Sequence, residues 1–321
     1  MVKRLGILAA TVVLATGMMA SAVHAKGDTQ VTAKKVSSDP TDVTSSQWNE
    51  AKEANLVNDG AAGGPFEKKT LDVKVKAVYT KAGTISVLVS WPDGDKSVTK
   101  EAWKHAHGKW AREKGDEDKA AFNWEIKRIK NFATKGCAVV CHSEAKSKDD
   151  WKYHSETATE RGDMWVWRAY TSDPMGHAED GYVDDDSRKS DPGTGKAKKN
   201  EASDKKKPKY MQNPAKKASV PGFLVDGETV EIKDYSKFKN NEVVPSWILS
   251  PFSGSMADVK TKSRYANGRW TVMFQRKLET DDTENDVKFD TRRDYSFGLA
   301  IFNNSSKHDS YNSGPMKLIF D

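Results

Sequence analysis

Cysteine is nearly absent from this chain of 321 residues. Only two occur, Cys137 and Cys141, so at most one internal disulfide can form. The chain also has no phosphate-binding glycine loop, no zinc-type histidine pair and no nucleophile elbow. We therefore predict that it has no catalytic activity of its own.

Long apolar runs are also scarce. Charged residues make up 31% of the chain and the mean hydropathy is −0.76, so only residues 5–20 resemble a membrane-inserting segment. Lys3 and Arg4 precede this run and small residues follow it, which predicts a secretory signal peptide over residues 1–25 rather than an anchor. The mature chain, residues 26–321, is then expected in a periplasmic compartment. The net charge of +6 is too small to indicate nucleic-acid binding.

The two cysteines are separated by three residues, and His142 follows the second. Two thiols followed by an imidazole are typical of covalent haem attachment, in which each thiol binds one vinyl group and the histidine binds iron. The usual motif has only two residues between the cysteines. From these residues alone, a small disulfide loop between Cys137 and Cys141 or a metal–thiolate site remains an alternative, and an oxidising compartment permits both haem c and a disulfide.

The apolar pattern predicts a mainly β protein, an antiparallel β-sandwich with short helical insertions and a haem-attachment loop. Residues 71–79 and 84–91 alternate with period two around a turn, which predicts a β-hairpin. Residues 102–114 suggest a short amphipathic helix, and residues 119–132 an apolar strand or helix. Further strands are predicted at residues 222–225, 229–232, 244–249, 269–274, 286–289, 295–302 and 316–320.

We interpret residues 26–321 as a single domain with a polar, lysine-rich insertion at about residues 184–219. We expect this insertion to be a solvated loop, although its lysines could also dock an acidic partner. The ten tryptophans are expected to pack mainly in the β core.

Several segments, in this order, resemble a known family. They are DKAAFNW (118–124), GCAVVCH (136–142), GDMWVWRA (162–169), PMGHAED (174–180), VPSW (244–247) through ADV (257–259), GRWTVMFQRKL (268–278), DVKF (286–289) and FGLAIFN (297–303). Together they resemble the haem-binding family of the ethylbenzene dehydrogenase gamma subunit, over roughly residues 48–320. The resemblance implies a β-sandwich that passes single electrons between the iron–sulfur clusters of a molybdenum enzyme and a soluble cytochrome. Similar subunits serve dimethylsulfide dehydrogenase, chlorate, perchlorate and selenate reductases, and nitrite oxidoreductase.

The resemblance also bears on the haem ligands. Members with non-covalent haem b bind iron through a methionine and a lysine, at positions that correspond to Asn123 and Arg168. Asparagine is a poor iron ligand and arginine stays protonated, so neither is expected to coordinate. A subset of the family carries an inserted cysteine–cysteine–histidine loop and is implied to hold haem c. We therefore expect one covalent haem on Cys137 and Cys141, with His142 as the proximal ligand.

The sixth iron ligand is less defined. His154 follows His142 by twelve residues and is the first choice, His177 is the second, and Met164 or Met175 are further alternatives. Two histidine ligands would favour a lower reduction potential than histidine with methionine.

The strand around residue 165 supplies candidates for the haem pocket. Trp165 and Trp167 should point to one face, as part of the core or as a wall of the pocket. Arg168 should point the other way, in a surface ion pair or toward a haem propionate.

The sequence thus predicts a periplasmic c-type cytochrome that carries one haem and serves as electron-transfer subunit of a molybdenum oxidoreductase. Its expected partners are a molybdenum catalytic subunit and an iron–sulfur subunit, or a soluble cytochrome. The alternatives are a free-standing electron shuttle and a secreted, cofactor-free β-sandwich binding module with a Cys137–Cys141 disulfide.

Overall fold

The computed structural model describes residues 27–61, 65–136, 154–305 and 310–321. Strands dominate these residues. In chain order the first are β1 (Gln30–Val36), β2 (Ala54–Gly60), β3 (Thr70–Thr80), β4 (Thr84–Pro92), β5 (Trp103–Ala106), β6 (Lys109–Arg112), β7 (Lys119–Lys127), β8 (Arg161–Arg168), β9 (Glu179–Val183), β10 (Arg188–Ser190), β11 (Gly193–Thr194) and β12 (Lys198–Lys199). They are followed by β13 (Tyr210–Gln212), β14 (Leu224–Val225), β15 (Thr229–Glu231), β16 (Val243–Val244), β17 (Trp247–Leu249), β18 (Ser253–Gly254), β19 (Lys260–Tyr265), β20 (Arg269–Lys277), β21 (Tyr295–Phe302), β22 (Tyr311–Asn312) and β23 (Met316–Phe320).

Helical structure in the described residues is short. It consists of the four-residue helix α1 (Phe132–Lys135) and the 3-10 turns Ser46–Asn49, Asp173–Met175, Tyr235–Lys237 and Ser255–Ala257. Among these residues, no helix combines the length and the apolar character that crossing a membrane requires.

One large sheet contains most of the longer strands, in the order β10-β9-β8-β7-β21-β22-β2-β3-β4-β20-β19. Nearly all of its neighbours are antiparallel, and β1 is the exception because it pairs in parallel with both β23 and β3. Strands from the two ends of the chain therefore share the sheet. The predicted mainly antiparallel β fold is confirmed.

The sheet packs one half against the other. Trp167 of β8 contacts Trp91 of β4 at 5.9 Å between ring centroids and Trp270 of β20 at 4.9 Å. Phe122 of β7 lies 5.2 Å from Phe274 of β20. These aromatic contacts between β7–β8 and β4–β20 form the centre of the core, because alternate side chains of each strand point inward.

Three strand predictions hold in detail. The hairpin predicted at residues 71–79 and 84–91 is β3 paired with β4, and β21 and β23 have the predicted bounds. In each strand, one side of the period-two pattern is buried in the core.

The helix predicted at residues 102–114 is wrong. This segment is the hairpin β5–β6, with a turn at His107 and Gly108. Both residues have positive φ, 50° and 75°, as a tight two-residue hairpin turn requires. Trp103 on β5 is buried against β16 and the residues after β12, which fixes the segment as a strand by tertiary packing.

The strand predicted at residues 286–289 is also wrong. Side chains occupy its backbone groups: the amide of Val287 donates to Asp163 at 3.0 Å, and its carbonyl accepts from Arg276. Two backbone hydrogen bonds remain in this segment: the amide of Asp286 donates to the carbonyl of Asp282 at 3.2 Å, and the amide of Phe289 donates to the carbonyl of Leu278 at 2.8 Å.

The polar segment at residues 184–219 is largely exposed, but it is more ordered than a solvated loop. It contributes β10 to the large sheet, and β11, β12 and β13 pair with β18, β17 and β15. Asn200 within it is fully buried, and its side chain binds the backbone of Tyr210 and Pro245. These short segments have no apolar periodicity, and they form strands because they pair with other parts of the chain.

Candidate functional site

Strands β7 and β8 are buried on both faces, unlike most strands of the sheet. Their core face carries Phe122, Trp124, Trp165 and Trp167, which belong to the main hydrophobic core. The opposite face carries Asn123 and the residues of β8 that alternate with Trp165 and Trp167. We call this opposite side the Asn123 face, and its side chains are Asn123, Met164, Val183, Arg168 and Lys119.

Trp165 and Trp167 point to the same face, as predicted, and both are fully buried. Trp165 packs on Trp124 at 5.1 Å, and the Trp167 indole donates to Asp173 at 2.7 Å. Their contacts among the described residues place them in the core. Their role as a wall of the haem pocket stays a prediction.

The Asn123 face holds a second, smaller apolar cluster. Met164 and Val183 pack there with Ile129 and Phe132, which lie at the approach to α1 and on its first turn. Asn123 is buried beside them, and neither atom of its side-chain amide has a hydrogen-bond partner within the described residues. A buried amide without hydrogen-bond partners costs free energy, so we expect a further group to bind at this position.

Arg168 also lies on the Asn123 face, at its other end, where its Nε is 3.0 Å from Glu179 Oε2. Burial alone would raise the pKa of Glu179, but Arg168 and Arg188 hold it below its ordinary value. The guanidinium therefore has a buried carboxylate partner within the protein. The ion pair of Arg168 is therefore largely buried and not at the surface as predicted, and its contact with a haem propionate stays a prediction.

Sequence reasoning missed Lys119, which pairs in register with Arg168 across β7 and β8. Lys119 is 2% exposed, and its ammonium donates to Asp116 at 3.0 Å and to the carbonyl of Ser305. Burial, together with the nearby charge of Arg168, lowers its pKa to about 8. The only sequence signal was a lysine at the start of an otherwise apolar segment.

Cys137, Cys141 and His142 lie outside the described residues, as does the predicted signal peptide. The residues that flank the cysteine segment are described. On one side Gly136 follows the last residue of α1 and has a φ of 78°. A Cβ there would come within 2.9 Å of the backbone of Gly314, so this close approach requires glycine.

On the other side of the cysteine segment, the amide of Ser155 donates to the carbonyl of Asp184 at 2.8 Å, directly after β9. The Glu160 carboxylate is buried and accepts backbone N–H groups from both flanks: Lys130 at 2.8 Å, Glu156 at 2.7 Å and Thr157 at 3.2 Å. Glu160 thereby ties together the chain before α1 and the chain after the cysteine segment. Both flanks adjoin the Asn123 face.

The two candidate histidines lie at opposite ends of β9. His154 is half-buried next to Ser155, near the end of β9, whereas His177 precedes its start and stacks on Phe252 at 4.8 Å. The backbone positions that anchor them are about 20 Å apart along the strand, at about 3.3 Å per residue. They therefore cannot serve the same iron from these positions.

Both histidines have a defined tautomer. His154 Nδ1 is 2.6 Å from the carbonyl of Ser155, and His177 Nδ1 is 2.9 Å from that of Met175. A carbonyl only accepts, so each Nδ1 carries a proton, and in the neutral ring Nε2 is the nitrogen with the free lone pair. Such a bond is the usual orientation device of a metal-binding histidine. Met164 lies within the Asn123 face and Met175 beside His177.

A family model described as ethylbenzene dehydrogenase matches residues 30–314. The chain belongs to the ethylbenzene dehydrogenase family. The match begins with β1, includes the cysteine segment and ends before β23, so the predicted family is confirmed over nearly the whole described fold. A comparison with curated proteins gives no match.

Within this family, the positions of Asn123 and Arg168 gain meaning from the geometry. They lie on one face of adjacent strands, Asn123 with a free amide and Arg168 in an ion pair with Glu179. Neither is suited to bind iron, and the described residues before and after the cysteine segment adjoin the same face.

Proposed function

We propose that this chain is the electron-transfer subunit of a molybdenum oxidoreductase, of the gamma type, and that it carries one haem c. Membership of the ethylbenzene dehydrogenase family over residues 30–314 carries this proposal. The haem would be attached through Cys137 and Cys141, with His142 as proximal ligand. Haem bound in this way supplies reversible uptake and release of a single electron.

The Asn123 face supports this proposal as the side of the sheet toward the haem. It is apolar around Met164 and Val183, it contains an amide without partners, and both flanks of the cysteine segment adjoin it. An apolar surround would exclude water from the cofactor, and the Asn123 amide would offer it a hydrogen bond. Because Asn123 corresponds to a ligand position of the non-covalent members, the thioether bonds would hold the haem and His142 would take over iron ligation.

His154 is our choice for the sixth ligand. It adjoins the Asn123 face, and its protonated Nδ1 leaves Nε2 available to iron. His177 lies at the other end of β9 and stacks on Phe252. It provides a matched control with the same tautomer.

Haem-stained denaturing gel electrophoresis of the exported protein tests the cofactor. The parent chain should give a haem band, and Cys137→Ala with Cys141→Ala should abolish it. A parent chain without the band, with the cysteines joined in a disulfide, would instead support the cofactor-free binding module. Export is tested in the same fractionation, because the band should be found in the periplasmic fraction.

Visible spectra test the sixth ligand. His154→Ala should change the reduced spectrum while covalent haem is retained, and His177→Ala should not. An unchanged spectrum in His154→Ala would assign the ligand elsewhere, and Met164→Leu is then the next variant.

Co-purification tests the partner. A tagged chain should retain a molybdenum-containing subunit and an iron–sulfur subunit at physiological salt. Recovery of the haem protein alone, with rapid electron exchange with several acceptors, would support the free-standing shuttle.

A further inference from the structure

Four aspartates converge on one buried guanidinium at the far end of the core face, away from the Asn123 face. They are Asp163 of β8, Asp180 of β9, Asp191 just after β10 and Asp286 in the loop after β20, and we call them the carboxylate cluster. None is more than 3% exposed. One oxygen from each of Asp163, Asp180 and Asp286 lies within 4.8 Å of the other two.

Strand register brings Asp191 into the same cluster. In the β9–β10 hairpin Ser190 faces Gly181, and the next pair is Asp191 with Asp180, whose backbones are joined by a 3.3 Å hydrogen bond. Opposed residues in an antiparallel pair project to the same face. Asp180 is itself opposed to Trp165, which points into the core.

Arg276 neutralises only part of the cluster. Its guanidinium bonds Asp163 Oδ2 at 2.7 Å, lies 3.3 Å from Asp286 Oδ1, and rests against the ring of Trp165 at 4.9 Å. One guanidinium against four ionised carboxylates leaves a large uncompensated negative charge in a buried site. Such a charge is costly unless a cation or protons join it.

The unpartnered oxygens show where a cation would bind. Among the described residues, no hydrogen-bond partner reaches Asp163 Oδ1, Asp180 Oδ2 or either carboxylate oxygen of Asp191. Asp191 is an independent indication, because its whole side chain is buried without a single hydrogen bond. Buried polar atoms are nearly always satisfied, so this concentration on one small volume calls for a ligand.

We propose that the carboxylate cluster binds one divalent cation, and that Ca²⁺ fits it best. Hard cations of this kind take carboxylate oxygens, and Ca²⁺ binds oxygen at about 2.3–2.6 Å. Two oxygens on opposite sides of one Ca²⁺ are therefore up to about 5 Å apart, which accommodates the observed spacing. The unpartnered oxygens of Asp163, Asp180 and Asp191, with Asp286 Oδ1, supply the protein ligands, and water completes the shell.

The local electrostatics agree with this assignment. Without a cation, burial and the neighbouring carboxylates raise the pKa of Asp191 to about 8. Burial, with the charge of Asp286, raises that of Asp163 to about 7 in spite of Arg276. A bound cation would replace the retained protons.

An acidic surface cleft borders the site. It is lined by Pro192, which follows Asp191, and by Asp258, Asp281, Asp282 and Glu284. These carboxylates would raise the local concentration of cations next to the cluster.

Metal-free full-length protein, prepared with a chelator, tests the proposal. Adding Ca²⁺ to about a hundredfold excess over its dissociation constant should raise the thermal midpoint by roughly 5 °C. Tb³⁺, a luminescent substitute for Ca²⁺, should give tryptophan-sensitised emission that Ca²⁺ displaces, because Trp165 adjoins the site.

Asp180→Asn and Asp191→Asn locate the binding site. Neither residue bonds Arg276 in the described structure, and the neutral amide replaces either a like charge or a protonated carboxyl, so both metal-free variants should be at least as stable as the parent. Both should bind Ca²⁺ at least about tenfold more weakly. Asp281→Asn, which makes the same charge change in the exposed cleft, should bind as the parent does.

Three results would overturn the proposal. The first is a metal-free parent whose midpoint does not respond to Ca²⁺ and which gives no saturable Tb³⁺ emission; the cluster then keeps protons instead. The second is an undiminished Ca²⁺ response in Asp180→Asn and Asp191→Asn, which would place binding elsewhere. The third is unfolding of both variants without metal, because it would contradict the charge repulsion on which the argument depends.

Discussion

Replacing Arg276 with methionine should destabilise the folded protein by about 3–5 kcal/mol at pH 8, the usual cost of removing one partner of a buried ion pair. Arg276 is 2% exposed and donates to Asp163 at 2.7 Å. Methionine preserves most of the apolar contact with Trp165 and Phe289, on which the guanidinium rests at 4.9 and 5.6 Å. The loss therefore reports on charge rather than on a cavity.

The penalty should depend on pH. Burial raises the pKa of Asp163 to about 7 even with Arg276 in place, and removing the cation raises it further. At pH 5 the folded variant then holds protons on these carboxyls and needs no guanidinium. We expect the difference from the parent to shrink to about 2 kcal/mol or less at pH 5.

Urea unfolding of the full-length chain in chelator, at pH 5 and pH 8, measures both values. Arg269→Met on the same strand is the matched control, because Arg269 is half-buried and donates to Ser90 at 3.2 Å. It should cost about 1 kcal/mol or less at either pH. A loss below about 1 kcal/mol for Arg276→Met at pH 8, or equal losses at the two pH values, would refute the reasoning.

Three further predictions concern pH and single side chains. Asp163 loses its proton near pH 4 in the unfolded chain and near pH 7 in the folded protein. The contribution of this group to stability is therefore full below pH 4 and is lost as the pH rises to about 7. The urea midpoint of metal-free protein should fall from pH 5 to pH 8, and it should fall less steeply in Asp180→Asn. Glu160→Gln should speed hydrogen exchange at the three amides that its carboxylate binds by about tenfold or more, measured by mass spectrometry, and unchanged exchange would deny its role in joining the flanks. Trp167→Phe should lower the free energy of unfolding in urea by about 2–3 kcal/mol, because it removes core packing and leaves Asp173 without the indole donor. The visible haem spectrum should stay unchanged. A shifted spectrum would place this indole at the haem instead.

Alternation of apolar residues predicted much of the fold. The hairpin β3–β4 and the strands β21 and β23 follow the period-two pattern, because their side chains on one face are buried in a single core. The same pattern failed at residues 286–289, where the Asp163 and Arg276 side chains take the backbone groups that a neighbouring strand would otherwise bind. At residues 102–114 an apparent helical periodicity predicted a helix, and this prediction was also wrong. The turn at His107 and Gly108 divides the segment into two strands of four residues each.

The candidate sites were predictable to different degrees. The faces of Trp165 and Arg168 followed from alternation along β8, and the family followed from ordered motifs. The carboxylate cluster could not be predicted, because its members come from four separate segments and meet only when the β8–β9–β10 register and the loop after β20 are fixed. The haem attachment through Cys137, Cys141 and His142 stays a prediction.

Strand β8 makes the two proposals separable. Asp163 and Met164 are consecutive, and consecutive residues of a strand point to opposite faces, so one belongs to the carboxylate cluster and the other to the Asn123 face. Asp180→Asn should therefore weaken the Ca²⁺ response without changing the haem spectrum, and His154→Ala should change the haem spectrum without weakening the Ca²⁺ response. No side chain belongs to both faces. If either variant changed both the Ca²⁺ response and the haem spectrum, the two faces would therefore be coupled through the backbone of β8.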